Sequence, residues 1–157
     1  MIDRFSISSP DFENHGLIPE RFTCEGSDIN PEIHIHYTPP GTKSLVLIMD
    51  DPDASSGGVF IHWLVWNIPP DTKVIKRKEL PPGAVEGFTS FEKNGYGGPC
   101  PKPGKIHRYD FKLYALGRML DLPPSSRVQD LEREIHAHLV GKADQFLGKY
   151  KRESVLY

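Results

Sequence analysis

Two short and nearly unbroken apolar runs, 44–50 (SLVLIMD) and 60–68 (FIHWLVWNI), most constrain what this chain can fold into. Runs of this length, rich in β-branched and aromatic residues, are strands covered on both faces. Three further segments alternate apolar and polar, as half-buried strands do. They are 2–8 (IDRFSIS), 33–37 (IHIHY) and 106–116 (IHRYDFKLYAL). In 33–37, Ile33, Ile35 and Tyr37 share one face and His34 and His36 the other. In 106–116, His107, Tyr109, Phe111, Leu113 and Ala115 fall on one face; Arg108, Asp110, Lys112 and Tyr114 fall on the other.

The 15 prolines and 14 glycines lie between these runs and mark frequent turns, against a helical bundle. Pro39-Pro40-Gly41, Ser55-Ser56-Gly57-Gly58 and Pro81-Pro82-Gly83 are three such stops, and 94–104 (NGYGGPCPKPG) is the longest. That last stretch holds too much Gly and Pro for a helix or a central strand, and reads as an ordered loop. One long helix is expected, late in the chain. Ser126 and Gln129 form an S-x-x-Q capping box, and Val128, Leu131, Ile135 and Leu139 follow at helical spacing. The stripe can resume at Ala143, Phe146, Leu147 and Tyr150, with Gly141 a weak point costing roughly 1 kcal/mol against Ala. A length of 157 residues suits one mostly-β domain over 1–157.

Nineteen basic and 21 acidic residues leave a formal charge of −2, without the basic stripe that nucleic acid requires. No apolar run approaches the roughly eighteen residues of a membrane span, and the first five residues lack a secretory leader's apolar segment. The expectation is a cytoplasmic protein. Cys24 and Cys100 form no CxxC pair. A bridge between them stays open, but two free thiols are the expectation for a reducing compartment.

Chemistry concentrates at the ends of the buried strands. Asp50-Asp51-Pro52-Asp53 closes the first run, His62 sits inside the second, and His107-Arg108-Tyr109 follows the Gly/Pro loop. A histidine in so apolar a strand needs partners for its nitrogens. A backbone carbonyl would make it a core residue; Asp51 or Asp53, with His107 and Tyr109, would make it part of a pocket. At least one of Asp50, Asp51 and Asp53 is expected to serve a turn. The N–H groups of Gly95, Gly97 and Gly98 could face a small anion.

Catalytic readings are weaker. No G-x-S-x-G elbow exists for a hydrolase built on Asp51 and His62. Cys100 stands between prolines rather than at a helix N-terminus that would support a thiolate. The pocket histidines lack metal-ligand spacing on one element, and the His34/His36 and His136/His138 pairs read as surface residues. No cofactor and no metal are expected.

The combination of Asp51-Pro52-Asp53-Ala54, His62-Trp63, Gly98-Pro99 and His107-Arg108-Tyr109 resembles the signature of the phosphatidylethanolamine-binding protein family. Phe22-Thr23-Cys24-Glu25-Gly26, Gly41-Thr42-Lys43-Ser44-Leu45, Asn67-Ile68-Pro69 and Tyr114-Ala115-Leu116 are similar to its prokaryotic branch, called Raf kinase inhibitor-like or YbhB/YbcL. The resemblance runs from about Phe5 to Arg152. It implies an antiparallel β-sandwich with a C-terminal helix packed beside it and a ligand pocket at one end. By the same resemblance Asp51, His62, His107 and Tyr109 are pocket side chains, Asp53 stands nearby, and Gly98 is a backbone donor. The implied ligand is a phosphate-like or carboxylate-like anion such as a phospholipid head group, bound without turnover. Serine-protease inhibition, reported for some members, is the alternative, with 54–60 and 94–104 as candidate loops. Prokaryotic members suggest a homodimer, and a protein partner is left open. Ser55 replaces the proline that usually ends DPDAP, and Ile35 replaces an aromatic residue. Regulation of Raf kinase is not implied, because the family's further C-terminal helix does not follow.

Overall fold

A computed structural model describes residues 3–55 and 57–153. Ile2, within the first expected strand, and Ser56 lie outside them. Nine strands and one α-helix follow in chain order among the described residues, with a single 3-10 turn at Glu20–Phe22: β1 (Ser6–Ser8), β2 (Ile33–His36), β3 (Ser44–Asp51), β4 (Phe60–Ile68), β5 (Val74–Ile75), β6 (Val85–Glu86), β7 (Ile106–Leu116), α1 (Val128–His138), β8 (Leu139–Lys142) and β9 (Phe146–Lys151).

They form two antiparallel sheets. The smaller runs β1-β2-β5; the larger runs β6-β4-β3-β7-β8, with β9 also pairing β7. Between the sheets lies the main core. Ile7, Ile33, Ile35 and Ile75 come from the small sheet, and Leu45, Leu47, Met49, Trp63, Phe111 and Leu113 from the large one. The other face of the large sheet carries Val46, Ile48, Leu64 and Trp66, covered by Leu131 and Ile135 of α1. Every residue of β3 is therefore buried, as its unbroken apolar run requires. In β7 the expected alternation holds: odd residues His107 to Ala115 are buried, and even ones are exposed or half-buried up to Tyr114.

The expected continuation of the helix past Leu139 is wrong. Residues 139–142 and 146–151 are strands, because eleven-residue β7 has an outer edge whose backbone groups need partners. β8 takes that edge at 114–116 and β9 takes it at 106–111. Spacing at 143, 146, 147 and 150 is helical, and the open edge overrode it. Gly148 also belongs to this strand: a Cβ there would lie 2.5 Å from Ile18 Cγ1. Ile18 N–H and Lys149 N–H bond across to Lys149 and Gly16 carbonyls, so segment 16–18 flanks β9.

The helix start also differs from expectation. Arg127, not Ser126, is the N-cap, and the Asp130 carboxylate accepts the Arg127 N–H at 2.9 Å. Ser126 is instead buried, its carbonyl accepting the Phe88 N–H.

Candidate functional site

Three strands of the large sheet bring their chemistry to one end of the sandwich. Asp51 ends β3, and His107 and Tyr109 open β7 on its buried face. His62 reaches the same place through an irregularity in β4. Met49 opposes Trp63, whereas Asp50 opposes Ile61, so His62 is an extra residue in the ladder. Ile61 packs on the helix side and Trp63 between the sheets, although residues two apart in a regular strand share a face. The bulge switches the face and re-aims His62 toward Tyr109. Their rings meet edge-on, with centroids 5.2 Å apart.

These side chains surround a cavity of about 240 Å³. Asp51, His62, His107 and Tyr109 form its polar lining; Phe60 and Phe91 add apolar wall, and the loop residues Cys100, Pro101 and Lys102 complete it. His107 Nδ1 donates to Asp51 Oδ2 at 2.7 Å, and both side chains are buried. Tyr109 is wholly buried, and its hydroxyl has no hydrogen-bond partner among the described residues. Burial first, then the charges of Asp51 and Asp53, push its pKa up, so the phenol stays protonated as a donor.

Asp53 lies outside the cavity lining. Its carboxylate holds the Arg108 N–H at 2.9 Å and the Arg108 guanidinium at 2.9 and 2.8 Å. The guanidinium beside it draws its pKa down to about 2. Its own N–H bonds Asp51 Oδ1 at 2.7 Å, so Asp53 steadies the turn that presents Asp51.

Two expectations fail here. Asp51 partners His107 rather than His62, which turns instead to a backbone carbonyl. Its Nδ1 lies 2.7 Å from the Gly97 carbonyl, which can only accept, so the proton sits on Nδ1 and Nε2 is left as an acceptor. Burial lowers its pKa, and this outweighs the opposing Gly97 carbonyl and Asp51 charge. The second failure is Gly98 as an anion donor. Its N–H goes to Asp28 Oδ1 at 2.8 Å, and the Gly97 N–H goes to the His62 carbonyl. Glycine at 98 serves close packing: a Cβ would stand 2.1 Å from the Phe22 carbonyl oxygen. Asp28, which claims that N–H, carried no motif that would single it out.

The free-thiol expectation is also overturned. Cys24 and Cys100 form a disulfide across 76 residues, with Cα atoms 5.4 Å apart. The loops that carry them meet in space, where the Cys24 N–H also bonds the Pro99 carbonyl. Sequence reasoning likewise missed Lys102 and Phe91 as lining residues. Lys102 had a signal in hindsight, a cation within the Gly/Pro loop; Phe91 had none.

Neutral His62 has a consequence for stability. Between its lowered native pKa and the unfolded value of 6.5, the unfolded chain binds the extra proton. Stability from this group is therefore complete above pH 6.5 and declines as pH falls below it. His62→Asn should flatten the loss between pH 7 and 5.5, by at most about 1.4 kcal/mol per pH unit for one proton. Denaturant unfolding of both proteins at the two pH values checks this; parallel losses would place the acid sensitivity elsewhere.

The chain matches known proteins along nearly its whole length. The family described as phosphatidylethanolamine-binding protein matches residues 8–150. A UPF0098 protein of Methanothermobacter thermautotrophicus is 42% identical over 146 residues, covering 90% of this chain and 95% of that protein. The crystal structure of CT736 of Chlamydia trachomatis, described as a homologue of phosphatidylethanolamine-binding protein, superposes with a TM-score of 0.90 at 30% identity, covering 97% and 100% of the two chains. YbcL of E. coli, described as a member of the mammalian family, gives 0.89 at 28% identity over 96% and 99%. A carboxypeptidase Y inhibitor, solved with its cognate proteinase, shares the fold alone: TM-score 0.60 at 16% identity, over 95% and 83%.

Proposed function

As the chain belongs to the phosphatidylethanolamine-binding protein family, we propose that its cavity binds a small phosphate-class anion, free or as a phosphomonoester, without turnover. One observation carries this reading: the buried Tyr109 hydroxyl, without a partner among the described residues, in a cavity it shares with two imidazoles and Lys102. A buried donor left unmade costs about 1–3 kcal/mol, which a ligand oxygen recovers. Tyr109 O–H and the Lys102 ammonium are the donors. Asp51 keeps the His107 ring oriented through Nδ1. Neutral His62 adds an acceptor, which selects for an anion that still carries a proton.

The acceptor makes the proposal specific. Phosphate at neutral pH can offer a P–OH to His62 Nε2, whereas sulfate would set a bare oxygen against that lone pair. Phosphate should therefore bind more tightly than sulfate, by roughly tenfold or more. Calorimetric titration with both anions and with glycerol 3-phosphate is the test. No binding of phosphate or glycerol 3-phosphate, or a preference for sulfate, would overturn it.

Serine-protease inhibition has less support. An inhibitor presents an exposed, rigid loop, yet residues 97–99 of the 94–104 loop are buried and Cys100 is tied to Cys24. Catalysis by Asp51 and His62 lacks support too, since Asp51 bonds His107 instead. A homodimer remains part of the proposal, with half-exposed Leu139 and Val140 on the open edge strand β8. As for compartment, no helix among the described residues is long and apolar enough to cross a membrane. The bridge fits an oxidising compartment or a hyperthermophile's cytosol better than an ordinary reducing cytoplasm.

A further inference from the structure

Asp50 and Asp51 are neighbours on β3, yet they serve opposite faces of the large sheet. Asp51 faces the anion cavity. Asp50 lines a second cavity of about 380 Å³ on the helix side, walled by β3, β4 and β7, the 88–90 loop and the start of α1. Its apolar walls include Ile48, Val59, Ile61 and Phe88.

The polar groups of this second cavity are unequally satisfied. The Asp50 side chain is 6% exposed; Oδ2 accepts from Lys112 Nζ at 2.9 Å, and Oδ1 is buried with no partner among the described residues. Burial raises the Asp50 pKa against the pull of Lys112, so the ion pair leaves this carboxylate incompletely stabilised. Arg127, also on the wall, is committed to Glu92 at 2.7 Å. Glu132 of α1 lines the same space, and no cation stands within 4 Å of it among the described residues. With Lys112 answering Asp50 and Arg127 answering Glu92, the uncompensated charge at the cavity is the Glu132 carboxylate.

An orphaned acceptor oxygen, a Glu132 carboxylate with no cation within 4 Å among the described residues, and apolar and aromatic walls specify a ligand that donates, is cationic and has an apolar body. We propose that the cavity between the large sheet and α1 is a second binding site, which takes a small organic molecule bearing a primary ammonium group. The ammonium donates to Asp50 Oδ1 and lies near Glu132, and the hydrocarbon body covers Ile48, Ile61 and Phe88. A single orphaned carboxylate oxygen suits an ammonium better than a divalent cation, which needs six or more oxygens. Aromatic walls add cation–π attraction, as Arg127 over the Phe88 ring already does at 4.7 Å. The site is independent of the anion cavity, from which the sheet itself separates it.

Three probes with one aromatic body test the site: 2-phenylethylamine, 2-phenylethanol and phenylacetate, titrated into the ¹⁵N-labelled protein. The amine should shift the backbone amides of Ile48, Asp50, Ile61 and Phe88, with saturation below about 10 mM. The alcohol should bind at least roughly tenfold more weakly, and phenylacetate should leave these amides unmoved. Asp50→Asn should weaken the amine by about 10-fold or more. Glu132→Gln, on the exposed helix surface, should weaken it by a few-fold and supplies the check if Asp50→Asn folds poorly. The site is refuted if the amine moves none of these amides, if phenylacetate moves them equally, or if both variants bind the amine as the parent does. Phosphate shifts the amides around His62 and Tyr109 on the opposite face, so failure at either cavity is read separately.

Discussion

Replacing both Cys24 and Cys100 by serine should destabilise the protein by about 3–5 kcal/mol, the largest effect expected of any change that leaves the core untouched. The bridge closes a loop of 76 residues. Removing that constraint from the unfolded chain is worth about 4.5 kcal/mol by loop-closure entropy, toward the upper end of what native disulfides contribute. For a domain of this size the melting temperature should fall by about 5–15 °C. The bond also ties the cavity wall to the body of the fold. Cys100, Pro101 and Lys102 line the cavity, while Cys24 follows the turn whose Phe22 carbonyl accepts the Tyr96 hydroxyl at 2.7 Å. Reduction should thus weaken phosphate binding as well as lower the melting temperature. Thermal denaturation with and without reductant checks the first, and titration under the same conditions checks the second. A melting temperature unmoved by reductant, or free thiols in the denatured unreduced protein, would overturn this expectation.

How far each part was legible in the sequence depends on the range of the interaction that decides it. The strands β3, β4 and β7 were readable because burial of both faces, or of one, writes itself as an unbroken or alternating pattern. That same alternation put His107 and Tyr109 on one buried face, which the structure bears out. The aim of His62 was not readable in this way: it depends on a bulge set by the register between β3 and β4, which no pattern within residues 60–68 records. Nor was its charge, since the balance turned on depth of burial and on Asp51 choosing His107. The pairing of Cys24 with Cys100, and of Gly98 with Asp28, rests on loops that meet only in three dimensions. Residues 143–150 misled because their spacing is helical, while the unpaired edge of β7, distant in sequence, selected the strand.

The cavity stands or falls with Tyr109. A phenol wholly buried without a partner among the described residues is a cost to the unliganded fold, about 1–3 kcal/mol by the usual penalty. Such a cost is expected where a group is kept for a ligand rather than for stability. Tyr109→Phe keeps the ring, its edge contact with His62 and its place in the inter-sheet core, and removes only the oxygen. Stability and binding should therefore move in opposite directions. The unliganded variant should be as stable as the parent or up to roughly 1 kcal/mol more so, because the orphaned hydroxyl is gone. Its affinity for phosphate should fall by about 10–150-fold, the worth of one hydrogen bond to a charged group. Calorimetric phosphate titration of parent and Tyr109→Phe, with denaturant unfolding of both in phosphate-free buffer, is the most direct measurement. Weakened binding with undiminished stability is the expected result. Equal affinity for phosphate, or a variant that loses stability because the hydroxyl was serving the fold, would contradict the assignment of this cavity.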